Sequence, residues 1–399
     1  MKNDATILAH AGRAPLRVGA PVNMPVHRAS TIVSPTVEEY EANERGDAMY
    51  KNVCYGALGT ENAFALCDAV NRLEQGAGSM VTSSGLSACT LSLLAFVGAG
   101  DHVLLPDSVY GPQRMFCDTI LRRYGVEATF YDPRIGADIE VLIKANTRVV
   151  YVEAPGSLTF EMQDIPAIVK AAHARSAVVI MDNTWAGPLY FKPLAHGVDI
   201  CVEAATKFIA GHSDLVMGII TARTPELYRT MRAFCVQMGE IASPDDCYMA
   251  LRGLRTMKVR MDAQFASALE LARWLEGRPE VKQVLYPPLE SDPGHELWKR
   301  DFAGGGALFT IVMEKMPKKA VSAMLNGYRL FSIGASWGGY DSLVEVCHPE
   351  RTALDRIPPV WTEDNSTLVR FAIGLEDVED LRADLEDGFA RLNNALAGA

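Results

Sequence analysis

Short apolar runs alternate with helix-like patterns over the central part of the chain. Seven runs have the length and composition of strands, and they lie at 79–82, 101–105, 127–131, 148–152, 177–181, 200–202 and 216–221. The segments between them place apolar residues at helical spacing. Strands that alternate with helices predict a largely parallel sheet with helices on both faces. Ligands of such sheets bind at the carboxyl ends of the strands.

The two ends of the chain differ from this central pattern. Residues 1–55 mix proline, glycine and charged residues, with one helical patch near 36–45, and predict an arm that packs on a partner subunit. A long helical pattern from about Pro244 to Trp274 leads to a second set of strand-like runs and a final helix from Val378. The second set of runs lies at 281–285, 307–312, 330–333, 343–347 and 368–373.

These patterns predict an α/β fold in three parts, because a chain of 399 residues is too long for one ordinary domain. We assign the N-terminal arm to residues 1–55, a large domain to 56–250 and a smaller C-terminal α/β domain to 251–399. The large domain is expected to hold the mostly parallel sheet of seven strands.

Composition and charge favour small molecules as the main partners. The net charge of −11 and the sequence pI near 5.3 disfavour nucleic acid and anionic membrane surfaces. The N-terminus lacks an apolar signal core, and no apolar stretch has membrane-spanning length. The eight cysteines are scattered without zinc-site spacing, which favours reduced thiols in the cytoplasm and no bound metal.

Lys207 is the strongest candidate for chemistry. It follows an apolar run within Ala-Ala-Thr-Lys-Phe-Ile-Ala-Gly-His-Ser-Asp, where small and polar neighbours leave room for an aldehyde cofactor to reach the amine. In isolation such a lysine is more often a solvated surface residue. Its position between two predicted strands, with a carboxylate nearby, indicates a Schiff-base lysine and predicts pyridoxal 5'-phosphate (PLP) as the cofactor.

The remaining groups that PLP requires also have candidates. Asp182 ends Val-Val-Ile-Met-Asp and is placed either to pair with the pyridine nitrogen or to cap a helix. The loop from Ser83 to Ser87 precedes a helix and is a candidate phosphate cup. Tyr110 is a candidate ring-stacking partner, although a core aromatic is the simpler interpretation. Arg370 is a cation within an apolar strand, and a substrate carboxylate would supply its anion.

The sequence resembles the PLP enzymes of cysteine and methionine metabolism of fold type I, the transsulfuration family. The resemblance covers nearly the whole chain, from Tyr55-Gly-Ala-Leu-Gly-Thr through the Lys207 segment to Gly-Leu-Glu-Asp-Val-Glu-Asp-Leu. Two segments resemble the bacterial cystathionine β-lyase branch, Glu153-Ala-Pro-Gly-Ser and Ser336-Trp-Gly-Gly-Tyr. Relatives that act at the γ-carbon usually have Pro-Thr-Asn-Pro and Ser-Leu-Gly-Gly there.

The resemblance implies a role for each matching position. It implies phosphate binding by the amides of Gly85 and Leu86 and by Thr206, and ring contacts from Tyr110 and Asp182. Catalysis is implied for Lys207 together with Tyr110 and Tyr55, and substrate binding for Ser336, Trp337 and Arg370. Tyr55 would also bind the cofactor of a neighbouring subunit. The family therefore implies a homo-oligomer, at least a dimer and typically a tetramer.

One position departs from the family pattern. Relatives usually have Tyr-x-Arg where this chain has Tyr55-Gly-Ala57, so a guanidinium that meets the partner subunit's phosphate is missing. Lys51 is a candidate replacement.

The implied reaction is β-elimination on cystathionine-like amino acids, which gives a thiol such as homocysteine, pyruvate and ammonia. In this reaction the freed lysine removes the Cα proton. Three alternatives stay open: γ-elimination or γ-replacement on another γ-substituted amino acid, racemisation of alanine, and a PLP-binding regulator without turnover.

Overall fold

A seven-stranded sheet holds the centre of the molecule, in a computed structural model that describes residues 3–13, 18–45, 54–353 and 365–398. The strands are β1 (Gly78–Thr82), β2 (His102–Pro106), β3 (Glu127–Tyr131), β4 (Thr147–Glu153), β5 (Val178–Asp182), β6 (Ile200–Ala204) and β7 (Gly218–Ala222). Their order is β1-β7-β6-β5-β4-β2-β3. Only β7 runs antiparallel to its neighbours β1 and β6. The predicted mostly parallel sheet is confirmed.

Helices cover both faces of this sheet, because each strand supplies apolar side chains in both directions. In β4, Val150 and Val152 belong to one buried cluster, whereas Val149 and Tyr151 belong to another on the opposite face. The α-helices of the described chain up to residue 254 are α1 (Asp4–His10), α2 (Val37–Arg45), α3 (Glu61–Glu74), α4 (Gly85–Leu94), α5 (Gly111–Phe116), α6 (Ile165–Ala174), α7 (Gly187–Tyr190), α8 (Pro225–Gln237) and α9 (Pro244–Leu254).

A second, smaller sheet follows in the C-terminal part. Its strands are β8 (Gln283–Leu285), β9 (Leu308–Glu314), β10 (Ser332–Ile333), β11 (Leu343–Cys347) and β12 (Ser366–Ala372), in the order β10-β11-β12-β9-β8. The pairs are antiparallel except β10 with β11. The helices here are α10 (Met257–Glu276), α11 (His295–Asp301), α12 (Lys318–Leu325) and α13 (Val378–Ala397). In the part of the chain that the structure describes, no helix is long and apolar enough to cross a membrane.

The long helical pattern from about Pro244 to Trp274 is divided between two helices, because the chain breaks between α9 and α10. The Gly253 carbonyl accepts a hydrogen bond from the Thr256 hydroxyl at 3.1 Å and another from the Arg260 guanidinium at 2.9 Å. Side chains therefore satisfy a carbonyl group near the end of α9, and α10 starts as a separate helix at Met257. Helix α9 packs on α3, and α10 packs on the second sheet. We propose that the boundary predicted at residue 250 lies at this break.

Candidate functional site

A cavity of about 230 Å³ lies at the carboxyl ends of the parallel strands of the first sheet. Its wall combines the residue that ends β5, the loop after β6, the start of α4 and part of the second sheet. Ten site residues were predicted from the sequence, and eight of them line this one cavity although they span 285 positions of the chain. These are Gly85, Leu86, Tyr110, Asp182, Thr206, Lys207, Trp337 and Arg370.

Lys207 lies at the centre of the cavity. Its Nζ donates to the Ser336 hydroxyl at 2.6 Å and lies 5.2 Å from the centre of the Trp337 ring. Burial and, less strongly, the positive charge of Arg370 lower the pKa of Lys207 to about 8. An appreciable fraction of the amine is therefore uncharged near neutral pH. An uncharged amine is the form that attacks an aldehyde.

Asp182 projects from the end of β5 into the same cavity. Its Oδ1 accepts the backbone N–H of Thr184 at 2.9 Å, and its Oδ2 accepts the thiol of Cys89 at 3.6 Å. Burial raises the pKa of Asp182, whereas the hydrogen bonds from Thr184 and Cys89 and the charge of Lys207 lower it. These contacts leave the carboxylate facing the cavity, with donors that favour its ionised form.

The start of α4 forms a cradle of free backbone amides. Ser84 caps the helix by accepting the N–H of Ser87 at 3.0 Å, while no acceptor among the described residues faces the N–H groups of Gly85 and Leu86. A Cβ on Gly85 would lie only 2.7 Å from the Cβ of Ala204, so glycine permits the close approach of α4 to β6. A helix N-terminus with free amides binds phosphate well.

Thr206 also lines the cavity, but its hydroxyl is engaged in this structure. It accepts the N–H of Met217 at 3.0 Å and donates to the Met217 carbonyl at 3.1 Å. Of the described residues that line the cavity, only Lys207 and Arg370 are cations. A phosphate at the α4 cradle would therefore depend mainly on amides and hydroxyls.

Tyr110 stands on the opposite wall as the residue before α5. Its backbone N–H donates to Glu153 Oε2 at 2.7 Å, and its side chain is 42% exposed, which leaves one ring face open to the cavity. Burial and the charge of Asp182 raise the pKa of Glu153 well above its ordinary range. Glu153 was not predicted as a site residue, although it ends an apolar strand as Asp182 does.

Arg370 enters the cavity from the middle of β12. It is 8% exposed, and its guanidinium donates to the Ser336 carbonyl at 3.1 Å and pairs with Glu345 at 3.0 Å. Glu345 lies directly opposite Arg370 on β11. Ser336 has a φ of 90°, a left-handed conformation that is costly for serine. Gly338 lies so close to Lys207 that a Cβ atom on Gly338 would be only 3.1 Å from the Lys207 backbone. These contacts hold the 336–339 loop against the lysine.

Tyr55 does not line the cavity in the single chain. Its side chain is 53% exposed, and its backbone pairs with Thr31 in an isolated bridge. Ala57 lines a separate cavity of about 30 Å³ together with Arg232 and Glu240. Lys51, the predicted replacement cation, lies outside the described residues.

Several residues of the site were missed because only the fold brings them together. Glu240, which follows α8, accepts the Ser87 hydroxyl at 2.6 Å and the Ser83 N–H, so a carboxylate lies beside the α4 cradle. Glu345 and Cys89 could be connected with the cavity only through their contacts with Arg370 and Asp182. The charge of Glu345 within an alternating strand was the one available sequence signal.

A second buried polar cluster lies under the first sheet, away from the cavity. Glu74, Cys201 and Glu203 place ligand-capable atoms within 4.8 Å of one another. Burial raises the pKa of Glu74 to about 7 and that of Glu203 well above its ordinary range. We assign no ligand to this cluster.

Comparison with known proteins identifies the family. The model for "Cys/Met metabolism PLP-dependent enzyme" matches residues 5–390. Cystathionine beta-lyase MetC of Escherichia coli is 40% identical over 390 residues, which cover 97% of this chain and 98% of that protein. An L-alanine/L-glutamate racemase of Wolbachia pipientis is 39% identical over 399 residues, covering 98% of this chain and 97% of that protein.

The solved structures give the same result for the fold. The crystal structure of metB from Corynebacterium glutamicum superposes with a TM-score of 0.87 at 30% identity and covers 98% of both chains. Fold and lysine-centred cavity together define a PLP-dependent enzyme of fold type I. The chain belongs to the family of PLP-dependent enzymes of cysteine and methionine metabolism, and its cofactor is pyridoxal 5'-phosphate.

Proposed function

We propose that this enzyme is a carbon–sulfur lyase that carries out β-elimination on cystathionine-like amino acids. The observation that carries the proposal is the meeting of Lys207, Asp182, Trp337 and Arg370 in one cavity, with the lysine Nζ 2.6 Å from the Ser336 hydroxyl. The similarity to relatives named cystathionine beta-lyase supports the choice of substrate.

The cavity residues fit the cofactor. The free amides of Gly85 and Leu86 would hold the phosphate, together with the hydroxyl of Thr206 once it turns from the Met217 carbonyl, and the exposed ring of Tyr110 would stack on the pyridine. Asp182 would hold a proton on the ring nitrogen. When bound, PLP supplies an aldehyde for Lys207 and an aromatic system that accepts the electron pair left at Cα.

Arg370 would bind the substrate, and Lys207 would move its Cα proton. Arg370 and the Ser336 loop would bind the α-carboxylate, since Arg370 offers a buried guanidinium in a fork geometry. The uncharged amine of Lys207 would take the Cα proton, and the Cβ–S bond would break with the thiolate as the leaving group. For cystathionine and one water, the balanced products are homocysteine, pyruvate and ammonia.

Product analysis tests this proposal directly. Purified enzyme with L-cystathionine is expected to release pyruvate, ammonia and a free thiol in equal amounts, and Lys207→Ala is the matched control. A 2-oxobutanoate-type keto acid in place of pyruvate would instead indicate γ-elimination. Bound PLP without turnover of any sulfur amino acid would indicate a regulator.

Racemisation is the second candidate, because a relative named L-alanine/L-glutamate racemase is 39% identical along almost the whole chain. Removal of the Cα proton by Lys207 is common to both reactions, and racemisation requires only reprotonation from the opposite face. Incubation with L-alanine, followed by chiral analysis for D-alanine, separates the two. D-alanine formation faster than pyruvate release would favour racemisation.

We also propose that the enzyme is a cytoplasmic homo-oligomer whose subunits share sites. The eight cysteines are all free, as is usual in a reducing compartment. Tyr55 is exposed in the single chain, as are the apolar side chains of Val22 and Val33. Light scattering after size exclusion is expected to give at least a dimer, and a monomer with full activity would contradict the sharing of sites.

A further inference from the structure

A buried thiol lies beside the carboxylate that is proposed to hold the ring nitrogen. Cys89 projects from α4, one turn after the phosphate cradle, and is 3% exposed. Its Sγ is 3.6 Å from Asp182 Oδ2, and both side chains line the cavity. This distance is within hydrogen-bonding range for sulfur.

The thiol is the donor in this contact. Burial and the negative charge of Asp182 raise the pKa of Cys89 well above its ordinary range, so the sulfur keeps its proton. A carboxylate without a proton can only accept. The S–H group therefore points its hydrogen at Asp182 Oδ2.

Asp182 has few other donors. The Thr184 backbone N–H donates to Oδ1 at 2.9 Å, the Thr184 side chain also lowers the pKa of Asp182, and Cys89 donates to Oδ2 at 3.6 Å. Burial acts in the opposite direction, because it favours the protonated carboxyl. A protonated Asp182 could not pair with a protonated ring nitrogen.

We propose that Cys89 is a positioning residue, whose thiol holds the Asp182 carboxylate ionised and oriented toward the cofactor ring. The proposal rests on the proposed role of Asp182 in the cavity. A thiol is a weaker hydrogen-bond donor than a hydroxyl, and it carries no charge while it is protonated. Cys89 would therefore adjust how strongly Asp182 keeps the ring nitrogen protonated, and with it the electron-withdrawing strength of the ring, without adding a fixed charge.

Other titratable groups face this pair and bear on any pH measurement. Glu153 and Tyr151 reach it from β4, Tyr110 from the residue before α5, and Lys207 from the loop after β6. Cys201 and Glu203 face Asp182 from β6. Burial raises the pKa of Tyr151 and of Glu153 well above their ordinary ranges, which favours the uncharged form of both. Lys207, with a pKa of about 8, is a group near the pair whose charge changes between pH 7 and 9.

The first experiment does not need activity. The infrared difference spectrum between the wild-type enzyme and Cys89→Ala isolates the S–H stretching band of this thiol, in protein with and without PLP. Asp182→Ala is expected to move that band to higher frequency, because the hydrogen bond to the carboxylate is lost. A band that Asp182→Ala leaves unchanged would overturn the contact, whatever reaction the enzyme catalyses.

The second experiment measures the consequence for turnover. Cys89→Ala is expected to lower kcat about tenfold with KM changed less than twofold, as for one hydrogen bond to a charged group. Cys89→Ser restores a donor and is expected to recover most of kcat. The matched control is Cys117→Ala, since Cys117 is a buried thiol of the same apolar cluster but does not line the cavity.

Two results would overturn the positioning role. The first is that Cys89→Ala and Cys117→Ala have the same kcat and the same pH dependence of the bound cofactor's absorbance. The second is that Cys89→Ser and Cys89→Ala have equal kcat, because serine restores a hydrogen-bond donor and alanine does not, so equal values would show that the donor has no effect. If the wild-type enzyme has no lyase activity, the proposed function is refuted, but the infrared experiment still tests the contact between Cys89 and Asp182.

Discussion

The two sheets contribute to one cavity in different ways. From the first sheet, Asp182 ends β5 and Lys207 follows β6, so both are placed by the ends of parallel strands. From the second sheet, Arg370 lies in the middle of β12, and Ser336 lies on a loop with a left-handed backbone. In the proposed function, the first sheet would hold the cofactor, and the second sheet would bring a strand and a loop to the substrate.

Electrostatics separates the two contributions as well. The part from the first sheet gathers the carboxyl groups of Asp182 and Glu153 around a lysine whose pKa is about 8. The part from the second sheet has one guanidinium, which Glu345 already pairs at 3.0 Å. Substitutions in the first part should therefore affect chemistry and cofactor binding, and those in the second part substrate binding.

Lys207→Ala should have the largest effect. The variant loses the amine that would hold the cofactor and move the Cα proton, so we expect lyase activity to fall to background and the yellow colour of lysine-bound cofactor to disappear. Absorbance spectra and pyruvate release check this. An active variant with a borohydride-reducible lysine adduct would show that another lysine is catalytic.

Arg370→Leu should have the next largest effect and should act on the substrate. Removing one partner of a buried charged contact costs roughly 2 to 5 kcal/mol, so KM for amino-acid substrates is expected to rise strongly while PLP stays bound. Steady-state kinetics and the absorbance of the bound cofactor measure the two effects separately. The matched control is Arg122→Leu at an exposed position. An unchanged KM in Arg370→Leu would place the carboxylate elsewhere.

Ala57→Arg should strengthen the part of the site that binds the phosphate. The cavity has no cation at the α4 cradle among its described lining residues, whereas the family resemblance of the sequence implies an arginine from the partner subunit at this place. A charge-assisted hydrogen bond contributes about 1.5 to 3 kcal/mol, so the variant should hold PLP more tightly. Equilibrium dialysis measures the change, with Ala57→Gln as an uncharged control. Equal retention in wild type and Ala57→Arg would show that amides and hydroxyls suffice.

The contrast between the two sheets also explains what the sequence could predict. The parallel sheet and its strand-end residues follow from alternating apolar runs, since the carboxyl ends of such strands meet at one edge. Lys207 and Asp182 were found in this way. Gly85 was found because a small-residue loop before a helix is a local feature of the sequence.

Residues that depend on long-range contacts could not be found in this way. Glu345 meets Arg370 only through the register of β11 with β12, and Glu240 reaches the α4 cradle across 153 positions of chain. Helix α1 was missed because Leu8 is its one buried residue, too few for a detectable period. The break after α9 was missed because Arg260 and Thr256, rather than glycine or proline, end the helix.

Glu203→Gln should have the smallest effect. It allows a comparison between Glu203 and Asp182, which are carboxyl groups on adjacent strands. Asp182 on β5 has donors on both oxygens, whereas both oxygens of the buried Glu203 on β6 have no partner among the described residues. Glu74 lies beside Glu203, and burial raises the pKa of Glu74 to about 7. Two such carboxyl groups cannot both ionise without cost.

The sign of the pH dependence follows from the raised pKa values. A carboxyl group whose pKa is higher in the folded protein stabilises the fold below its unfolded pKa, and this contribution is lost as the pH rises through the folded value, here near 7. Burial and the charge of Glu74 also raise the pKa of Glu203, so ionising Glu203 in the fold is costly at pH values where it ionises freely in the unfolded chain. Glu203→Gln removes this titrating group and still offers Glu74 a donor. We therefore expect the variant to be more stable than wild type, with a gain that grows between pH 5 and 8 by on the order of 1 kcal/mol for each pKa unit relieved. Urea unfolding across that range, with the exposed Glu38→Gln as control, measures it. A variant destabilised equally at pH 5 and pH 8 would contradict repulsion and would indicate that a cation bridges Glu74 and Glu203, which metal analysis of the purified enzyme would then detect.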